Sequence, residues 1–354
     1  ALVHCRRGLP LRHHHSPRWS KMSHPCRLKR RSVAEELVRF VQEGNTRRVE
    51  RALAGGADID GRNANLAFPP LVLAAQCGGV KMAKFLLRRG ADVDVATPHH
   101  VPCGCSKDNC ARNRLFTGST ALHVAIYHRR LDVLRLLLRS GGNTNLVNSR
   151  GFTPLHLACD KDAEADAMVM TTALLDGGAD PLLGDTKGRL AVHFAAGKGH
   201  TDVLDMLLLK APATLNTPDS DDCTPLCFAA AYGREAMVLH LLQLGAKQPV
   251  AADNEIASPL AAAVEFGHDG ILRILLDHGM EAVGSTESIG SAVESAARKG
   301  RARSLGMLLG HFDGDDDTRR THFARWSEDG FPVLHIAVVH GRLATVSVLL
   351  AAGA

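Results

Sequence analysis

The chain has 354 residues, 45% of them hydrophobic but only 4% aromatic, so its core must be built from Leu, Ala, Val and other small aliphatic side chains. That composition suits thin helices packed in layers better than a set of ordinary globular domains. The formal net charge of +5 sits in the N-terminus: residues 1–32 hold nine basic residues and no acidic one, which leaves residues 33–354 at −4. A mildly acidic body lacks the footprint that phosphate-backbone binding requires, and no nucleic-acid partner is expected.

In chain order, residues 1–32 read as a basic, disordered tail. The chain begins with Ala and its first Met is Met22, so residues 1–21 are expected to be fragmentary or untranslated-region sequence. Pro10, Pro17 and Pro25 with His13, His14 and His15 interrupt the continuous apolar core a signal peptide needs. Nothing downstream is long and apolar enough to span a bilayer. The patch of Arg27, Lys29, Arg30 and Arg31 is a solvated tail, with a nuclear-import signal as the alternative. Nine Cys in a chain this long do not form a disulfide framework, and they point to a reducing compartment, cytoplasmic with the nucleus possible.

From residue 33 onward one pattern recurs. The segment Gly151-Phe-Thr-Pro-Leu-His156-Leu-Ala-Cys159 matches Gly118-Ser-Thr-Ala-Leu-His123-Val-Ala-Ile126. With that His as register mark, the equivalent positions are Val38, Val72, His123, His156, His193, Cys227, Ala261, Glu294 and His335, at steps of 34, 51, 33, 37, 34, 34, 33 and 41. Thr153 and Thr224 can cap a helix, and Pro154 and Pro225 then take its first position, where a missing N–H does no harm. Alanines at 125, 158, 195, 229, 263, 296 and 337 share one phase and let first helices approach closely. Apolar residues at helical spacing, such as Val133, Leu136 and Leu137, mark a second helix. Gly90, Gly142, Gly178, Gly245 and Gly279 follow it, where the chain must turn with positive φ.

Two segments stand outside the repeat. Residues 95–116 include His99, His100, Cys103, Cys105 and Cys110, five soft ligands within twelve residues that make a candidate tetrahedral zinc site. Their Cys-x-Cys-x4-Cys spacing departs from the Cys-x2-Cys knuckle, and an extended finger with exposed thiols is the alternative. Residues 311–329 carry Asp313, Asp315, Asp316 and Asp317 without the order of a calcium loop, and read as solvated. The sequence stops at Gly353-Ala354 without a polar terminal repeat, so the natural protein is expected to continue or to have another chain packed there.

The period, the Thr-Pro-Leu-His stretch and the Gly-Ala-Asp stretches at 90–92 and 178–180 resemble the ankyrin repeat, about nine copies over residues 33–354. The resemblance implies an all-α solenoid of stacked helix-turn-helix units with projecting β-hairpin-like loops. It implies that His123, His156, His193 and His335 tie neighbouring units together by hydrogen bonds. It also implies a non-catalytic scaffold that binds a partner protein on its concave face. Finger tips and the ends of first helices would then carry recognition, with Tyr127, His128, Arg150, Phe152, Lys187, Lys198, Tyr232 and Phe266 the foremost candidates. Tyr232 and Phe266 could instead pack under the next finger.

No catalytic constellation emerges. Gly197-Lys198-Gly199 lacks the upstream Gly and following Ser/Thr of a phosphate loop, and neither His-Glu-x-x-His nor Gly-x-Ser-x-Gly occurs. The alternatives to a scaffold are the substrate-recruiting region of a larger enzyme, such as a ubiquitin ligase or acyltransferase, and the cytoplasmic domain of a channel.

Overall fold

A computed structural model describes residues 33–61, 68–98, 117–247, 258–279, 286–311 and 332–353. The tail, the Cys/His segment at 99–110 and nearly all of 311–329 lie outside the described residues. Those that are described hold eighteen α-helices in nine consecutive pairs and no β-strand. No helix among them is long and apolar enough to cross a membrane.

They divide into two compact units. The N-terminal unit holds α1 (Val33–Gln42), α2 (Thr46–Ala54), α3 (Pro70–Cys77), α4 (Val80–Arg88), α5 (Ala121–Tyr127), α6 (Leu131–Arg139), most of α7 (Pro154–Cys159) and most of α8 (Glu164–Asp176). Here α1, α3 and α5 pack side by side in sequence order, and α4 packs on α6. The C-terminal unit holds residues 159–164 and then α9 (Ala191–Lys198), α10 (Thr201–Lys210), α11 (Pro225–Ala231), α12 (Glu235–Gln243), α13 (Pro259–Phe266), α14 (Asp269–Asp277), α15 (Thr286–Lys299), α16 (Ala302–Gly310), α17 (Val333–Val339) and α18 (Leu343–Ala351). Its first helices α9, α11, α13, α15 and α17 form one row, and α12, α14, α16 and α18 form a second.

The first helices are close neighbours because their facing residues are small. Ala195, Ala196, Ala229, Ala230, Ala262, Ala263, Ala296 and Ala297 are all buried. The second helices cover them with branched side chains, among them Leu134, Leu137, Leu204, Leu207, Leu241, Leu272, Leu275 and Leu305, also buried. Each buried leucine contributes roughly 1.5–3 kcal/mol of transfer free energy.

A polar ladder joins successive pairs within each unit. The residue that opens each of several second helices reaches the carbonyls at the end of the preceding first helix, where the helix dipole is negative. Arg130 Nε donates to Gln76 O at 3.3 Å in the N-terminal unit. In the C-terminal unit His200 Nε2 donates to Lys161 O at 2.6 Å, Arg234 Nε to Gly197 O at 3.0 Å, His268 Nε2 to Ala231 O at 3.3 Å and Arg342 Nε to Arg298 O at 3.2 Å.

Two local expectations need correction. Positive φ falls on Gly141 at 84°, not on Gly142. Gly142 instead sits in a tight space, where a Cβ would lie 3.1 Å from Leu137 O and 3.3 Å from Leu122 Cδ1 and Val93 Cγ2. Thr224 opens α11 without a side-chain bond to the free N–H groups of the helix. Ser258 does cap α13, its Oγ accepting from Ala261 N–H at 3.0 Å.

Candidate protein-binding surface

The fingers are held one to the next by short polar side chains. In the N-terminal unit Asp60 Oδ1 accepts from Asp92 N–H at 2.9 Å, Asp94 Oδ1 from Asn143 N–H at 2.8 Å and Asn145 Oδ1 from Asp180 N–H at 2.8 Å. In the C-terminal unit Asn216 Oδ1 accepts from Lys247 N–H at 2.8 Å. Nearer the tips Ser149 N–H donates to Thr117 O at 3.0 Å, and Ser220 N–H to Lys187 O at 2.8 Å. Asn148 and Asp219 each fold a tip inward in the same way. Asn148 Oδ1 accepts from Arg150 and Phe152 N–H, and Asp219 Oδ1 from Asp221 and Cys223 N–H. Burial raises the Asp219 carboxyl above its ordinary range, against the pull of those two N–H donors.

The recurring histidines are spent on structure. His123 Nδ1 accepts from Thr120 N–H at 3.2 Å and Nε2 donates to Phe152 O at 2.8 Å. His156 Nδ1 accepts from Thr153 N–H at 3.1 Å and from its hydroxyl at 2.8 Å. His193 Nδ1 accepts from Leu190 N–H at 3.0 Å and Nε2 donates to Cys223 O at 3.2 Å. A ring that accepts at one nitrogen and donates at the other is neutral. Desolvation lowers His123 and His193 to about 4, outweighing the bonds to carbonyls that would raise them. His335 departs from this set: it is exposed, and Pro332 stands at the N-cap where Thr153 stands before His156. Proline has no backbone N–H to offer, the bond that Thr120, Thr153 and Leu190 supply to the other three rings.

The recognition candidates fall in different surroundings. Arg150 is exposed at a finger tip, and Tyr127 and His128 are half-buried at the end of α5, their rings edge to face at 5.1 Å. Tyr232 and Phe266 are half-buried at the ends of α11 and α13, and Tyr232 stacks on Phe228 at 6.4 Å. Lys187 Nζ pairs with Asp221 at 3.2 Å. Phe152 must be struck from the exposed set. It is 5% exposed because the Asn148 turn draws it under the finger, where it lies 6.0 Å from the His156 ring.

Lys198 belongs to a cluster that motif reading missed. Its side chain is 17% exposed, with Nζ 2.7 Å from Asp162 and 3.4 Å from Asp160. Asp160 is pushed up by burial, and Lys198 opposes that shift. The signal was the step of 37 residues from His156 to His193, where extra residues after Cys159 supply both carboxylates. The zinc candidates His99, His100, Cys103, Cys105 and Cys110 lie outside the described residues.

Buried hooks beneath an accessible rim of fingers and helix ends define a repeat protein that presents surface. The family model described as ankyrin repeats in three copies matches residues 96–170 and 164–252, and the single ankyrin repeat model matches residues 68–98. Together they cover just over half of the chain, which belongs to the ankyrin repeat family. It is 29% identical over 180 residues to ankyrin repeat protein nuc-2 of Neurospora crassa, covering 51% of this chain and 16% of that one. It is 27% identical over 221 residues to human ankyrin repeat and SOCS box protein 16, covering 60% and 44%. The human ankyrin and armadillo repeat-containing protein is 32% identical over 135 residues, covering 36% and 9%. The chain thus spans less than half the length of each of these relatives. Ankyrin repeats are a protein–protein interaction scaffold, and their partners are proteins.

Proposed function

We propose that this chain is a non-catalytic scaffold that grips a partner protein on its finger tips and first-helix ends. Tyr127, His128 and Arg150 serve in the N-terminal unit, and Tyr232, Phe266 and Lys187 in the C-terminal unit. The observation that carries the reading is a division of labour. Residues the repeat needs, His123, His156 and His193, are buried and bonded, while the aromatics at first-helix ends keep part of their surface in water. Half-buried aromatics on a rigid support lose little freedom on binding and anchor interfaces. The buried thiols of Cys159, Cys223 and Cys227 fit small core positions of the repeat, in keeping with a reducing compartment, the cytoplasm or nucleus.

The test is affinity capture with the wild-type chain and with Tyr232→Ala/Phe266→Ala. Loss of the captured proteins with an unchanged melting midpoint supports the reading. Retention of all of them, or loss that tracks a fallen midpoint, counts against it. A second reading makes this stretch the recruiting region of a longer protein. It is favoured by relatives whose names join ankyrin repeats to armadillo repeats or a SOCS box. The transcript sequence on either side of the chain tests it.

A further inference from the structure

Three second helices of the N-terminal unit, α2, α4 and α6, carry a charge pattern that the acidic balance of residues 33–354 conceals. Aligned from their first residues, α2, α4 and α6 place Arg47, Lys81 and Asp132 at the second position. The fifth position holds Glu50, Lys84 and Arg135, and the ninth holds Ala54, Arg88 and Arg139. This spacing puts the three positions on one face of each helix. The charged residues there are all exposed. Arg47, Lys81, Lys84, Arg88, Arg135 and Arg139 make no ion pair among the described residues, whereas Glu50 is taken up by Arg89.

Nothing in the repeat demands these cations. In the C-terminal unit the same three positions are Ala236, Leu239 and Gln243 on α12, and Ala344, Ser347 and Ala351 on α18. Lys81 even stands in the first turn of α4, where the helix dipole disfavours positive charge, and Lys81, Lys84 and Arg88 repel one another along one face. Unpaired cations kept against local repulsion on adjacent helices make a surface complementary to negative charge.

We propose that this face, separate from the fingers and first-helix ends, binds an acidic segment of a polypeptide. A lipid surface fits it poorly, because residues 33–139 expose no large hydrophobic side chain among those described that could enter a bilayer. A nucleic-acid backbone fits it poorly too. Asp132 and Glu50 interrupt the rows of cations, so an unbroken rail of phosphates meets repulsion, and no exposed aromatic among the described residues 33–139 offers a stacking platform. A peptide can set its carboxylates opposite the cations and leave gaps at the acids.

Fluorescence anisotropy of a labelled oligoglutamate peptide, titrated with the whole 354-residue chain, tests this. Lys84→Gln, Arg88→Gln, Arg135→Gln and Arg139→Gln together should weaken binding on the order of tenfold, with the difference shrinking as salt is added. Glutamine keeps helix propensity, and a melting curve checks the fold. If the quadruple variant unfolds, Lys84→Gln with Arg135→Gln alone should still weaken binding measurably. Substituting Arg27, Lys29, Arg30 and Arg31 with Gln controls for the basic tail and should weaken binding less than the helix variant does. Wild-type affinity in both helix variants overturns the proposal. So does a parallel loss of duplex DNA or of anionic vesicles by the quadruple variant, which would reassign the face to phosphates or lipid.

Discussion

Replacing His193 by Gln removes a ring whose neutral form the fold requires, and the cost depends on pH in a calculable way. In the native chain His193 stays unprotonated down to about pH 4, against an ordinary value of 6.5. Between those limits the unfolded chain holds a proton that the folded chain lacks, so protonation favours unfolding. The ring's contribution is fully present above pH 6.5 and is lost as pH falls towards 4. The slope is about 1.4 kcal/mol per pH unit, and the total about 3 kcal/mol. Glutamine cannot be protonated. At neutral pH it should cost roughly 1–2 kcal/mol, because a carbonyl or backbone N–H bonded by the ring is left with poorer partners. Urea unfolding followed by circular dichroism, from about pH 7.5 to about pH 4.5, should show the gap between wild type and His193→Gln closing and then reversing. A gap that stays constant across that range would refute the assignment of a buried, neutral, doubly bonded ring.

Three further outcomes follow from particular contacts. Gly151→Ala should cost about 3 kcal/mol in urea unfolding and Gly90→Ala only about 1 kcal/mol, since both have positive φ but a Cβ on Gly151 alone would collide with the next finger, 2.5 Å from Thr186 N. Asp219→Asn should leave stability at neutral pH unchanged or raise it by up to about 1 kcal/mol, because Asn148 already performs the same turn without a buried charge; Asp219→Ala should lose about 2 kcal/mol in the same assay. Lys198→Met should cost about 2 kcal/mol at neutral pH by removing the ammonium bonded to buried Asp160 and leaving only the weaker pull of Lys161, and calorimetry should show that cost shrinking as acid protonates Asp160, whose pKa is already raised.

Much of this was legible in the sequence because the repeat obeys short-range rules. A His three residues after a Thr, an alanine phase and a helix-ending glycine are local signals, and together they place first and second helices in register. What escaped was decided by side-chain contacts that the repeat letters do not specify, some local and some between repeats distant in sequence. Phe152 looks like a tip residue by position, but Asn148, four residues earlier, turns it inward. Gly141 and Gly142 are indistinguishable as letters, yet one turns the backbone and the other makes room for Leu122 and Val93. Lys198 reads as a free cation until Asp160 and Asp162 close on it. His335 shares the register, but the proline three residues before it has no N–H to give the ring, so its environment differs where the motif letter does not.

Helix pairs bury their small faces against one another while finger tips and helix ends stay open to a partner. Amide hydrogen exchange of the purified chain addresses this most directly. Amides of α5, α9, α11 and α13 should exchange slowest and as a group within each unit, while those of Arg150, Ser220 and Asp221, each held at a tip by a single turn or finger-to-finger hydrogen bond, exchange faster. First helices exchanging at unfolded-chain rates, or tips as protected as the helices, would contradict it.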